Sequence, residues 1–280
     1  MKIFVHPCQK KNIGDELNHW YWNELIGNVV KSYSDEALLV GIGTVLNDNL
    51  PRDREIHVMG SGVGYGSSES IYQDNWTIHF VRGHLSAKRL GLEKKSVISD
   101  PGILINRLRP MTTEKRYKTS FMPHIGIDSP RYRRFITEVM RWNYISPSED
   151  ENDVLLNIAA SEKLITSAMH GAILADSYRT PWLPINTSPE ILPFKWMDWF
   201  SSMNITSELT TVPSYWAESG TGLTSKLKNT VKEVQLKNSL RTLELKGQFL
   251  NSEYSVLTSR QEEILNKLDD IQNLLLKGAK

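Results

Sequence analysis

The sequence predicts an α/β protein made of two halves followed by a helical tail. Three patterns carry that prediction. Short apolar runs rich in β-branched residues alternate with stretches of helical periodicity over roughly the first 200 residues, as in parallel strands joined by crossover helices. Several of those runs end in a turn bearing a polar or charged side chain, the place where ligands bind in open α/β sheets. After residue 222, leucine or isoleucine recurs at every seventh position, which predicts long helices.

The first half opens with a strand over residues 2–6. A polar loop, Asn12-Ile13-Gly14-Asp15, precedes Leu17, Trp20, Tyr21 and Leu25 at helical spacing. Asp15 either caps that helix or faces a ligand. Residues 37–42 and 55–60 are two further strands, the second running into Gly60-Ser61-Gly62-Val63-Gly64-Tyr65-Gly66. That loop lets backbone approach a ligand closely, yet it has neither the dinucleotide fingerprint nor the lysine of a P-loop. A strand over 76–81 delivers Arg82 to a loop before a helix that begins near Ser86. A short strand ending in Asp100-Pro101-Gly102 and a helix over 103–108 complete the half.

Residues 111–118 are charged and unpatterned, which makes them the connection. The expected divisions are 1–115, 116–221 and 222–280. The second half begins with a strand over 119–123 ending in His124, then Ile125-Gly126-Ile127-Asp128. Helices over 131–142 and 154–160 flank a strand at 144–147. Leu164-Ile165-Thr166 is a buried strand that runs through Ser167-Ala168-Met169 into a helix, with His170 at the junction. Such a histidine either packs and caps, or holds or protonates an anion at the helix N-terminus. A strand over 181–185 and the aromatic stretch Pro193–Phe200 follow. There Lys195 is either a snorkelling side chain or a site cation.

The chain of 280 residues carries 33 Lys and Arg against 32 Asp and Glu, so no global field favours nucleic acid. Arg131-Tyr132-Arg133-Arg134 has no aromatic ladder beside it and suits a solvated helix start. A lone cysteine, Cys8, rules out a disulfide framework or a cysteine-based zinc site within the chain and suits a reducing compartment. No compact metal-ligand set is visible, and no metal is expected. The N-terminus lacks the apolar region of a secretory signal, and no run of about eighteen apolar residues exists. The expectation is a soluble, cytosolic protein. In the tail, Leu236, Leu243, Leu250, Leu257, Ile264 and Ile271 form a heptad seam interrupted at Gly247 and Gln261. Such a seam packs on a partner helix or on the chain's own domain, and the expectation is a coiled coil through which residues 236–275 join a second copy or a partner helix.

The strand-end residues, taken in order, resemble the polysaccharide pyruvyl transferases. The likeness rests on Asn12-Ile13-Gly14-Asp15-Glu16-Leu17-Asn18, Arg82-Gly83 with Ser86, Asp100-Pro101-Gly102 and Met122-Pro123-His124. Ala168-Met169-His170-Gly171-Ala172-Ile173, Asp176, Arg179, Pro181-Trp182 and Phe194-Lys195-Trp196 with Asp198-Trp199 are similar to the succinoglycan-type ketal pyruvyltransferases. The resemblance covers residues 1–200 and leaves out the tail. It implies two Rossmann-like domains in a glycosyltransferase-B-like arrangement and phosphoenolpyruvate as a substrate, with no cofactor. It also implies a cyclic pyruvate ketal on a sugar, free or lipid-linked, made in the cytoplasm or at the inner face of the cytoplasmic membrane.

By motif the resemblance puts the family's catalytic and donor-binding groups on Asp15, Arg82, His170 and Lys195. Ser61, Gly62 and Gly171 are further donor-side candidates, and Asn12, His124, Asp128 and Trp196 are acceptor-side candidates. Ala168-Met169 stands where the broader family often has an arginine–leucine pair, so positive charge must come from elsewhere, with Arg82 expected to supply it. Asp15 is expected to act as a base on an acceptor hydroxyl, and His170 to hold the departing phosphate or to donate a proton. Two other readings stand beside this one. One is a nucleotide-sugar glycosyltransferase of the same architecture, the other a non-catalytic scaffold assembled through its tail.

Overall fold

The computed structural model describes residues 1–7, 10–64, 74–111, 114–214 and 223–278, with side chains described in the last stretch from 229 to 277. The first 110 residues hold β1 (Lys2–Ile3), α1 (Ile13–Glu16), α2 (Asn18–Ser32), β2 (Leu38–Val40), β3 (Ile56–Met59), β4 (Trp76–Phe80), α3 (His84–Arg89) and α4 (Ile105–Leu108). Next come β5 (Ser120–Met122), α5 (Pro130–Arg134), β6 (Asn143–Tyr144), α6 (Glu151–Ala159), β7 (Leu164–Thr166), α7 (Met169–Ser177), β8 (Trp182–Asn186), α8 (Pro193–Ser202) and β9 (Thr210–Thr211). The tail forms α9 (Leu223–Lys246) and α10 (Tyr254–Gly278). Most strands are shorter than expected, and three elements differ in kind. The 97–100 strand is a single parallel bridge from Val97 to Val81. The helix expected over 103–108 opens as a 3-10 turn at Pro101–Leu104. The 131–142 helix loosens after Arg134 into a π-helical turn, Phe135–Met140.

The chain divides into two units whose members are not contiguous in sequence. One comprises Met1–Pro110, Leu192–Ser207 and Ser252–Lys280; the other comprises Met111–Ile191 and Glu208–Asn251. This differs from the spans 1–115, 116–221 and 222–280 read from the sequence, because α8 and α10 pack with the first unit and α9 with the second.

In the first unit, β1-β2-β3-β4 form a parallel sheet in sequence order. Lys2 pairs with Leu38, Leu38 with Ile56 and Ile56 with Trp76. All residues of β2 and β3 are buried, as expected of strands covered on both faces. Val40, Leu46, Ile56, Val58, Val63 and Val81 make the core on that sheet. The heptad residues Leu257, Ile264 and Ile271 of α10 are buried, as is Leu268 between them, and the helix packs on α2 and on the Pro101–Leu104 turn. Gln261, which interrupts the seam, has a specific job there. Its amide donates to Ile103 O at 2.7 Å and Asn106 Oδ1 at 2.8 Å, and its carbonyl accepts from Arg107 Nε at 3.0 Å.

In the second unit the strands are all parallel in the order β6-β5-β7-β8-β9. Counted from β5 this is the doubly wound order 2-1-3-4-5, whose topological switch lies between the first and third strands. Here those strands are β5 and β7. Leu236 and Leu240 of α9 enter the same core as Phe121, Ile165, Leu183 and Ile185. Gly247 ends α9 where a Cβ would run into Leu183 and the Leu243 carbonyl. Leu250 then pairs with Trp182 through reciprocal backbone hydrogen bonds of 2.9 and 2.7 Å. Most of the seam is therefore buried inside the chain's own units, the packing weighed beside self-association.

Candidate functional site

The first unit assembles a buried cationic centre around Arg82. β4 ends at Phe80, and Val81-Arg82-Gly83 leads into α3, so the arginine stands at the carboxyl end of β4, the last strand of its sheet. It has no exposed surface. A charge in that position must be paired and hydrogen-bonded. Arg82 Nε donates to Asp198 Oδ2 at 3.0 Å, and Nη1 donates to Thr44 Oγ1 at 2.6 Å and Gly43 O at 3.4 Å. Nη2 is buried and has no hydrogen-bond partner among the described residues. One face of the fork is thus fixed and the other is left to donate to something else.

Asp198 holds this arrangement. It is fully buried on α8 and also accepts from Ser86 N at 2.7 Å and Ser86 Oγ at 2.6 Å. The Ser61-Gly62 pair builds the opposite wall. Ser61 Oγ donates to Gly43 O at 3.1 Å, and a Cβ on Gly62 would overlap the Arg82 guanidinium. Gly62 is glycine because the arginine lies across it. These two residues build the cradle of Arg82. Tyr65 and Gly66 lie outside the described residues.

Lys195 sits one turn before Asp198 on α8 and is 8% exposed. Its pKa is lowered to about 8, by burial first and by the Arg82 charge second, with Asp15 opposing both. Asp100, fully buried, is raised to about 6, chiefly by burial, with Arg82 and the Gly102 N–H opposing the rise and Asp198 adding to it. Asp15 on α1 is half-buried and accepts from Asn12 Nδ2 at 2.9 Å. It opens onto a cavity of about 320 Å³ that His6, Lys10, Lys11 and His19 also line. Lys195 is thus near enough to feel the charges of both Arg82 and Asp15, and anion binding is the chemistry this centre suits.

The second unit places its candidates at the switch between β5 and β7. β7 ends at Thr166, and Ser167-Ala168 carries the chain into α7, with His170 as the helix's second residue. Ala168 occupies the N-cap and makes no side-chain cap, where Ser, Thr, Asp or Asn would ordinarily satisfy an amide. His124, just past β5, donates its backbone N–H to Ser167 Oγ at 2.8 Å, tying the two strand ends together. Its Nδ1 accepts from Gly126 N at 3.2 Å. Asp128 accepts from Tyr144 Oη at 2.6 Å and Ser146 Oγ at 2.5 Å, which fastens this loop to the end of β6.

Gly171 faces inward. A Cβ there would lie 2.7 Å from Thr166 Oγ1 and 2.8 Å from Met122 Sδ, so glycine lets α7 sit down on its own strand. Gly171→Ala should destabilise the second unit by about 1–3 kcal/mol through overpacking, seen as a lower urea midpoint without a change in slope.

Residues 48–189 match the family described as polysaccharide pyruvyl transferase. Over 216 residues the chain is 38% identical to the succinoglycan biosynthesis protein ExoV of Rhizobium meliloti (strain 1021), covering 76% of this chain and 68% of that protein. The chain belongs to the polysaccharide pyruvyl transferase family. Arg82, His124, Asp128 and His170 fall inside the matched span of this pyruvyl transferase, whereas Asp15, Lys195 and Asp198 fall outside it.

The structure of this pyruvyl transferase brings Asp15, Arg82 and Lys195 into one neighbourhood and sets His170 beside the β5–β7 switch. Trp196 is placed otherwise than expected. It is fully buried on α8, with its ring edge-on to Phe200 at 6.0 Å, a core position that a saccharide does not reach. The sequence reading did not single out Asp198, Thr44 or Ser86 as site residues. Asp198 had a signal: an acid three residues after Lys195, on the same face of an otherwise aromatic helix, requires a buried cation. Among the described residues no helix is long and apolar enough to cross a membrane, and no group of three metal-ligating side chains converges.

Proposed function

We propose that this family member transfers the pyruvyl group of phosphoenolpyruvate to two hydroxyls of a saccharide, forming a cyclic ketal and releasing phosphate. The observation that carries the reading is the buried Arg82 fork. Its Nη2 lacks a partner among the described residues, and Lys195 stands near enough to lower its own pKa against it. A small dianion bearing a carboxylate and a phosphate suits such a centre.

The reaction needs two acceptor oxygens to bond to the central carbon of the donor. The methylene carbon gains a proton and becomes a methyl group. The carbon–oxygen bond to phosphate breaks, and the proton of the second hydroxyl leaves with the phosphate. Asp15 is assigned the role of base on an acceptor hydroxyl, from a half-buried position on the edge of a polar cavity. Arg82 and Lys195 neutralise the donor's charge. His170, at the uncapped start of α7, holds the departing phosphate or protonates the methylene carbon. Asn12 orients Asp15. His124 and Asp128 remain acceptor-side candidates on the second unit, and the protein works in the cytoplasm or at the inner membrane face.

Incubating the protein with phosphoenolpyruvate and an oligosaccharide acceptor should release phosphate. The acceptor should gain the mass of one pyruvate less one water. Phosphate release with no such gain, or turnover of nucleotide sugars instead, would overturn the reading.

The lysine also sets a pH dependence. Lys195 is charged below about pH 8, and a bound anion favours the charged form. The donor KM should therefore rise as pH passes through about 8, and Lys195→Arg should flatten that rise because arginine stays charged. Stability should move the other way. Between about 8 and the ordinary lysine value of 10.5, the unfolded chain holds a proton that the fold has released, so stability rises with pH there.

A further inference from the structure

We propose that the second unit carries another binding site, for an acidic saccharide, at the amino-terminal end of its sheet. The residues just before β5, β6 and β7 enclose a cavity of about 410 Å³ there. This is the opposite end of the strands from His124 and His170. Arg116, Lys118, Arg141, Lys163 and Arg241 line it, against one carboxylate, Glu244. In a chain whose net charge is +1, that is a concentrated positive field.

The one acid is already neutralised. Glu244 accepts from Arg241 Nη1 at 2.7 Å and Thr119 Oγ1 at 2.8 Å, and Lys163 Nζ donates to the Glu244 carbonyl at 2.7 Å. Arg116, Lys118 and Arg141 are exposed, and their side chains make no hydrogen bond or ion pair among the described residues. Arg141 also stands at φ 61°, ψ 37°, the left-handed ending that a helix normally gives to glycine. An arginine kept there despite the backbone cost presents a guanidinium to the cavity, the pattern of strain held at a binding site.

The cavity is the size of a site for one or two sugar rings. Guanidinium forks match carboxylates, while Tyr117 and Asn143 offer a ring face and an amide to hydroxyls. A membrane surface fits less well, because Leu245 is the one exposed apolar side chain on this rim and a surface-bound helix needs an apolar face. Single-stranded nucleic acid fits less well too, since its bases stack on successive rings and here Trp142 is only 6% exposed, which leaves Tyr117 as the single accessible ring of the lining. The inference rests on the saccharide acceptor of the proposed function. Holding a charged stretch of the same polymer here would raise the effective concentration of acceptor for the transfer step.

The test is calorimetric titration of the full chain with an oligogalacturonate, its methyl ester, inorganic phosphate and vesicles of anionic phospholipid. The acid oligomer should bind in a salt-sensitive way, and the ester about tenfold or more weakly. Arg116→Glu with Lys118→Glu should reduce affinity by at least about tenfold. Arg141→Gly should also weaken binding while melting no lower than the parent, since glycine suits that backbone, so a loss there cannot come from misfolding. Turnover of a short neutral acceptor should be unchanged in both variants. Equal binding of acid and ester, binding untouched by the variants, binding of vesicles but not of the oligomer, or phosphate bound as well as the oligomer would each overturn the proposal. Oligomer binding lost in the variants, in a protein that makes no ketal, would uphold this site and remove the transfer reading alone.

Discussion

His170→Ala should cut the rate of ketal formation by about 10²–10⁴-fold, the usual loss when a positioned proton donor is removed. The protein should still fold. His170 is half-buried at the second position of α7, alanine is a good helix former there, and no core side chain is deleted. Stability should stay within about 1 kcal/mol of the parent. Comparing His170→Gln with His170→Ala separates the two roles still open to this side chain. Glutamine keeps an N–H donor without a titrating proton, so it should restore part of the rate if the histidine clamps phosphate and none if it protonates carbon. Phosphate release and acceptor mass, measured together, give the readout, and an alanine variant turning over at the parental rate would end the assignment.

The position of His170 could be read from the sequence because its neighbours state a local rule. Leu164-Ile165-Thr166 is apolar and β-branched, small residues follow, and the helix starts at once. The same holds for Arg82 at the end of β4. The strand runs were readable since strands buried on both faces are continuously apolar. What could not be read was the partner of each helix. A seven-residue repeat says that one face is buried, and says nothing about whether another chain or the helix's own domain covers it. Leu236 and Leu240 face the second unit's core, while Leu257, Ile264 and Ile271 are buried in the first unit. Gln261 and Gly247 look like defects in a coiled coil, yet one satisfies the Pro101–Leu104 turn and α4 and the other presses on β8. Asp198 is the same case at the site. Its chemistry depends on Arg82, 116 residues earlier, a pairing that no local pattern records.

That pairing leads to the largest stability effect expected of a single substitution. Asp198→Ala should cost the first unit about 3–5 kcal/mol, because it leaves the Arg82 charge buried without its counter-ion. The Ser86 N–H and hydroxyl lose their acceptor as well. Urea unfolding followed by tryptophan fluorescence should show the loss in the transition of that unit, which holds Trp20, Trp22, Trp76, Trp196 and Trp199. A second variant decides why the pair exists. Replacing a buried ion pair by apolar residues of similar volume is often neutral or stabilising, so Arg82→Met with Asp198→Leu should recover most of the lost stability. It should not recover transfer, because Arg82 is the group assigned to the donor. If the double variant stays as unstable as Asp198→Ala, the pair is needed to build the unit; if it is stable and active, Arg82 is not a donor ligand. Stable and inactive is the expected result. In that variant Lys195 should also titrate higher, since one of the two influences lowering its pKa has gone. The bend in donor binding near pH 8 should move to higher pH, while burial, the larger influence, continues to hold it below the ordinary lysine value.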